Sequence, residues 1–311
     1  MHELEEIIEA VSWKPSFEDH YKEYYRKIKY ANHITLGAIC ELLNPTNNTI
    51  CTVGSDARLE KGYASKIELT VLLNDNYENC SNLELTKEFD SVFHPLLEFK
   101  GPKEKSYLYL NDESRIFPTR ALDLRFIMGD YNRFVQEKAK FIKEIGEDYA
   151  KIKKAIKQRR SYYLKILTEG SAKFKNMVIR HYDLESGEVF YDNKTRWGLK
   201  YGPLRAVQYD AAYNAIKFLR KNQDVKFLLQ MPTNIVDRLW YLEGKPYLPS
   251  EIDEIADNYM FFIKEYHICQ RDFKRTRRGS QEDALLILLY NQNQILEIKE
   301  RINSLNSLLK R

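Results

Sequence analysis

The clearest pattern lies between residues 16 and 43 (SFEDHYKEYYRKIKYANHITLGAICELL), where apolar positions recur at helical spacing without proline or an early glycine. That spacing predicts one long helix, and Asn44-Pro45 ends it because the residue before a proline leaves the helical region. TICTV (49–53) is short, β-branched and bounded by Asn and Gly, which predicts a strand. KIELTVLLN (66–74) alternates and predicts the next one. Residues 82–98 carry a helical pattern. YLYL (107–110) and RALDLRFIM (120–128) predict two further strands, with Gly129-Asp130 closing the second.

After Gly129 the texture changes. Residues 131–168 keep a long helical period with many Lys and Arg, and residues 181–202 (HYDLESGEVFYDNKTRWGLKYG) read as irregular. From there helices are predicted at about 203–221, 224–243, 250–272 and 281–310. The expected organisation is α+β. An α/β unit with a mixed sheet spans 1–140, and an all-helical unit spans 141–311, with the boundary near 130–150. No repeat or low-complexity tract interrupts either unit.

Composition narrows the class. With 311 residues, 43% apolar and 30% charged, the chain can bury a large core. No apolar run approaches the roughly 18 residues of a membrane span. The start, MHELEEIIEAVSW, lacks the basic and apolar regions of a signal peptide. Cys40, Cys51, Cys80 and Cys269 show no CxxC spacing, so neither structural zinc nor a disulfide framework is expected. These features together predict a cytoplasmic protein with no membrane partner. A net charge of +4 says little about a polyanionic partner. The basic runs KIKKAIKQRR (151–160) and RDFKRTRRG (271–279) read as solvated helix faces rather than nucleic-acid contacts. The six His are scattered without metal spacing.

The stretch VGSDARLEKGYASKIELTV (53–71) carries the candidate chemistry. Phosphoryl and nucleotidyl transfer needs backbone N–H groups facing phosphate oxygens, which a Gly-Ser turn supplies. It also needs carboxylates to hold one or two Mg²⁺ across the reacting phosphate. Side chains at i and i+2 of a strand share a face, so Lys66, Glu68 and Thr70 fall together. On the later predicted strand Ala121, Asp123 and Arg125 share a face. Asp123 is a charge in an apolar run, and pairing with Arg120 or Arg125 would account for it as well as a metal would.

On these residues the chain resembles the nucleotidyltransferase domain of the bacterial uridylyltransferases that modify the PII signalling protein, and related putative nucleotidyltransferases. GSDARLEKGYASKIELTVLL is similar, without a gap, to the signature G-[GS]-x-G-R-x-E-x-x-x-x-S-D-x-D of that family. Gly54, Ser55, Arg58, Glu60, Ser65 and Glu68 fall on the motif. Asp123, Arg125 and Gly129 in LDLRFIMGD match the family's acidic strand. LKYGPLRAVQ (199–208) is similar to its K-x-G-P-G-G-L-R-D-x-Q segment, without two of the glycines and the Asp. The likeness spans roughly residues 15–300 and is most specific at the first motif.

The resemblance implies a nucleotidyltransferase-type domain with a helical domain closing over the cleft. It also implies Mg²⁺ with ATP or UTP as cofactors, and transfer of a nucleoside monophosphate to a protein target. In that reading Glu68 and Asp123 hold metal, Gly54 and Ser55 cradle phosphate, and Arg58 and Lys66 meet phosphate charge. Lys200 and Arg205 reach the nucleotide. The sequence departs from the family where it matters most, because Lys66 stands in place of the first catalytic Asp and Ala57 in place of a Gly. An ammonium about 4 Å from a divalent ion repels it by roughly 8 kcal/mol at an effective dielectric of about 20. Two expectations follow. In one, Lys66 stands in for a metal in an active enzyme. In the other, the chain is an inactive relative that binds a nucleotide or a protein and regulates something.

Overall fold

The computed structural model describes residues 21–42, 49–62, 69–72, 122–169, 179–182, 189–192, 200–222, 225–243, 247–276, 289–290 and 292–310. The described chain is α+β, and mostly helical. Helix α1 (Tyr21–Leu42) occupies the long periodic segment predicted for it. Tyr21, Tyr24, Ile28, Ala31, Thr35 and Ile39 fall on one stripe at steps of three and four, and all are buried. Strand β1 (Thr49–Thr52) follows and is buried along its whole length. A short helical turn, α2 (Gly54–Ala57), leaves it directly.

Strand β1 is the centre of a three-stranded sheet in the order β2-β1-β3, with β2 at Leu69–Leu72 and β3 at Arg125–Met128. Both neighbours run antiparallel to it. Thr49 faces Leu72, and Thr52 faces Leu69. Ile50 faces Met128 and Cys51 faces Phe126, with a register shift between Ile50 and Cys51. The described strands of this sheet are therefore antiparallel rather than mixed. The strand predicted at 120–128 begins only at Arg125, because Leu122 and Asp123 lie in a turn before it. The face-sharing expected of Ala121, Asp123 and Arg125 does not apply to Asp123. The helix predicted at 82–98, the strand at 107–110 and residues 66–68 lie outside the described residues.

Gly129, at φ 98°, turns the chain out of β3, and the Asp130 carboxylate then caps α3 (Tyr131–Glu147). It accepts from the N–H groups of Asn132 and Arg133 at 2.8 and 3.2 Å. One face of α3 buries Phe134, Lys138, Phe141, Ile142 and Ile145. Phe134 reaches a small core under the sheet with Cys51, Val53, Leu72 and Leu124. The helical period read at 131–168 is interrupted at Asp148, and α4 (Tyr149–Glu169) follows.

The segment read as irregular holds a hairpin, β4 (Ile179–Tyr182) with β5 (Val189–Asp192), and β6 (Leu289–Tyr290) pairs parallel to β4. The second half is therefore not all helical. A π-type turn at Lys200–Leu204 contains Pro203 and leads into α5 (Arg205–Asn222). The helix predicted at 224–243 is two, α6 (Val225–Gln230) and α7 (Ile235–Tyr241), separated by Pro232 and the capping Asn234. Helices α8 (Pro249–Thr276) and α9 (Gln292–Leu309) complete the described chain. Tyr21, Tyr24 and Ile28 of α1 and Leu122 share one large core with buried residues of α3 to α9. Packing therefore crosses the boundary that the sequence suggests near residue 140.

Candidate functional site

The candidate loop starts where β1 ends. Gly54 has φ 69°, a conformation that costs a side chain dearly and glycine nothing. The turn closes through Arg58 N–H to the Gly54 carbonyl at 3.1 Å and Glu60 N–H to the Ser55 carbonyl at 2.9 Å. Leu59 is left-handed at φ 57°, which for a residue other than glycine costs about 1–2 kcal/mol. That strained residue places Arg58 and Glu60 in the interior, one on each side of it.

Arg58 is buried and makes two ion pairs. Its Nε donates to Glu60 Oε2 at 2.9 Å and its Nη1 to Asp123 Oδ2 at 2.7 Å. The other oxygen of Asp123 accepts from Arg238 Nη2 at 2.8 Å. Asp123 is 7% exposed and Arg238 1%. Arg238 also donates to the carbonyls of Pro232, Leu122 and Thr233, each at 3.1 Å. The result is a buried, charge-balanced quartet of Arg58, Arg238, Asp123 and Glu60. Burial works against the Arg58 charge, but Asp123 and then Glu60 hold it firmly protonated. Burial pushes the Glu60 carboxyl up from its ordinary value, and Arg58 and the Tyr259 hydroxyl pull it back.

Glu60 is also the end of a hydrogen-bonded chain. Tyr259 Oη donates to Glu60 Oε2 at 2.8 Å, Gln208 Nε2 donates to Tyr259 Oη at 3.0 Å, and Arg205 Nη1 donates to Gln208 Oε1 at 3.0 Å. Arg205, expected at a nucleotide, is thus joined to the first motif through α5 and α8. The Glu60 carbonyl lies 3.1 Å from His267 Nε2, and His267 Nδ1 lies 3.0 Å from Tyr24 Oη. A carbonyl only accepts, so Nε2 carries the ring proton and Nδ1 accepts from Tyr24. Full burial pushes the His267 pKa down to about 4.

Other elements latch the same loop. Asn32 of α1 accepts from Lys61 N–H at 2.9 Å and donates to the Lys61 carbonyl at 3.3 Å. Thr233 Oγ1 and Arg125 Nε both donate to the Ala57 carbonyl at 2.7 Å, and Asn234 Nδ2 donates to the Arg58 carbonyl at 2.5 Å. Asn234 Oδ1 meanwhile caps α7. Lys61 and Asp56 form a further buried pair at 3.0 Å. Beside the quartet, Lys138 is buried with one long hydrogen bond, 3.4 Å to the Leu124 carbonyl. Burial, and then the positive charge of Arg238, bring its pKa down to about 8.

Of the predicted residues, the structure joins Arg58 to Asp123 directly and Arg205 to Glu60 by relay. Gly54 and Ser55 open the turn. Lys66 and Glu68 lie outside the described residues. Lys200 begins the π-type turn. Asp123 is ion-paired, but to Arg58 and Arg238; of the partners the sequence suggested, Arg125 turns instead to Ala57 and Thr233, and Arg120 lies outside the described residues.

Magnesium fits Asp123 poorly as it is found. A divalent ion on its carboxylate would stand about 5 Å from two guanidiniums, and each would repel it by about 7 kcal/mol at an effective dielectric of about 20. Their sum is comparable with the carboxylate's own attraction, about 11 kcal/mol at about 3 Å on the same scale. Among the described residues no cluster of three or more His, Cys, Asp or Glu is placed to hold a metal. No described helix is long and apolar enough to cross a membrane.

Arg238, Asn234 and Tyr259 were not singled out by the sequence. Arg238 did leave a signal, for it falls on the buried stripe of Ile235, Leu239 and Leu242, where an unpaired guanidinium is not tolerated. Comparison with protein-family models finds none that matches the chain, and comparison with curated proteins finds no match either.

Proposed function

We propose that the protein is a nucleotidyltransferase-like chain that works by binding a nucleotide or a protein partner, not by two-metal nucleotidyl transfer. One observation carries the reading: both oxygens of Asp123, the metal ligand that the resemblance implies, are taken by Arg58 and Arg238. The replacement of the family's first catalytic Asp by Lys66 supports the same conclusion from the sequence. A cation in one ligand position and two cations on another disfavour a divalent ion at both. Arg58 has two of its three nitrogens committed inside the protein, so it supports the loop instead of reaching for phosphate. The loop from Gly54 to Lys61 is then a rigid ledge, held from α1, α7 and α8.

Thermal unfolding with ATP or UTP, in Mg²⁺ and again in EDTA, tests this. Saturation at about 100 times Kd adds about 2.7 kcal/mol of stability. The expected result is the same shift, or none, in both buffers. A shift that requires Mg²⁺, or pyrophosphate release on adding NTP and a candidate target protein, overturns the proposal in favour of transfer.

A further inference from the structure

Helix α4 divides its charge by side. Its inward face buries Ile156, Tyr163, Leu164, Ile166 and Leu167, and its one inward guanidinium, Arg160, is paired with Asp210 and the Leu309 carbonyl. Its outward face carries Lys151, Lys154, Lys157, Arg159 and Lys165, all exposed, with Tyr162 among them at 42% exposure. The helix has no acid before Glu169, and Asp148 just precedes it. Among the described residues Lys151, Lys154 and Lys157 make no ion pair or hydrogen bond.

Helix stability does not explain this arrangement. Lys151, Lys153 and Lys154 sit in the first turns, where the helix dipole repels cations. Lys153 and Lys157 form a like-charged pair at i, i+4, which also destabilises. Lys153 rests over the Tyr149 ring at 5.7 Å, but Lys151, Lys154 and Lys157 persist at this cost with no ion pair or hydrogen bond among the described residues.

We propose that this outward face binds single-stranded nucleic acid. The basic strip from Lys151 to Lys165 runs about 21 Å along the helix axis, enough for several nucleotides. Its charge complements a phosphate backbone. Tyr162 offers a base a stacking surface, and its edge contact with Tyr163, at 5.2 Å between centroids, holds the ring in place. Insertion into a membrane would require an apolar face, and the apolar face of α4 is buried in the core, which leaves only surface attraction to anionic lipid. An acidic protein would use the lysines and the ring too, but it has no run of stacking bases to match a strip of regularly spaced phosphate-reaching cations, and competition by polyglutamate separates the two.

The test uses the full chain and a fluorescein-labelled 20-mer of oligouridylate, read by anisotropy, without NTP or Mg²⁺. With about four phosphates neutralised, affinity should fall about 50-fold between 50 and 200 mM salt. In Lys151→Gln/Lys154→Gln/Lys157→Gln the fall should shrink to about threefold, with weaker binding throughout. Tyr162→Ala should weaken binding by about 5- to 100-fold with the salt dependence kept. All four positions are exposed, so every variant should stay folded; the triple variant should melt at or slightly above the wild-type temperature, and Tyr162→Ala slightly below it. In the wild type, oligouridylate should also protect Lys151, Lys154 and Lys157 from acetylation, which needs no variant. Absence of binding at 50 mM salt, unchanged binding by the triple variant, or no protection overturns the proposal. Equal displacement by polyglutamate overturns it in favour of an acidic protein partner, and variant-sensitive binding only to phosphatidylserine vesicles in favour of a lipid surface.

Discussion

Replacing Asp123 by Asn separates a structural carboxylate from a metal-binding one. The side chain accepts from Arg58 at 2.7 Å and from Arg238 at 2.8 Å, and all three residues are buried. Asparagine keeps the shape but removes the charge, and its amide N–H₂ meets a guanidinium that can only donate. Breaking a buried pair by removing one partner costs about 3–5 kcal/mol, because the remaining charge stays buried without its counterion. Here one substitution strips two guanidiniums, while Glu60 still holds Arg58 and three carbonyls still hold Arg238. The expected loss is therefore about 3–5 kcal/mol, not twice that. Urea unfolding at pH 7 in EDTA measures it, provided the slope against urea stays constant. Asp257→Asn is the control, since Asp257 pairs with Arg301 at a half-exposed site and should cost about 1 kcal/mol or less. A carboxylate kept for metal is under repulsion in EDTA, so its removal is neutral or stabilising. A loss below about 1 kcal/mol for Asp123→Asn would refute the quartet as a structural element and reopen the metal site.

Two further expectations concern pH. His267 has a folded pKa of about 4 against about 6.5 when unfolded, so the unfolded state takes up the proton first. Stability should be complete above about pH 6.5 and fall by about 3 kcal/mol as pH drops to about 4. Urea midpoints measured across that window check it, and a flat profile there contradicts the assigned neutral tautomer. Lys138, with its pKa brought down to about 8, is a burden while protonated, and the burden is full below about pH 8 and absent above about 10.5. Lys138→Met should therefore stabilise the protein by about 1–3 kcal/mol at pH 7, and the gain should vanish toward pH 10.5. Equal or lower stability of the variant at pH 7 would show that the ammonium is better satisfied than its single long hydrogen bond indicates.

The sequence by itself determined the elements whose signal is local. The stripe of α1, the short β-branched β1, the Gly54 turn and the existence of helices from residue 131 onward follow from periods and turn residues along a few adjacent positions. It also brought Asp123 forward as a charge in an apolar run, and Arg58 and Glu60 through the likeness to the family motif; such charges need partners wherever they are buried. Which partners they take was decided only in three dimensions. Arg238 lies 115 residues from Asp123, and Tyr259 lies 199 residues from Glu60. No local pattern links positions so far apart, because hydrogen bonds and ion pairs depend on where packing brings the chain. The same reason separates the two basic faces of α4. Sequence shows a run of Lys and Arg, while the tertiary structure turns Arg160 inward to Asp210 and leaves Lys151, Lys154 and Lys157 facing solvent. The hairpin at 179–192 was missed because its second sheet neighbour, Leu289–Tyr290, is distant in the chain and β-pairing is a property of the pair.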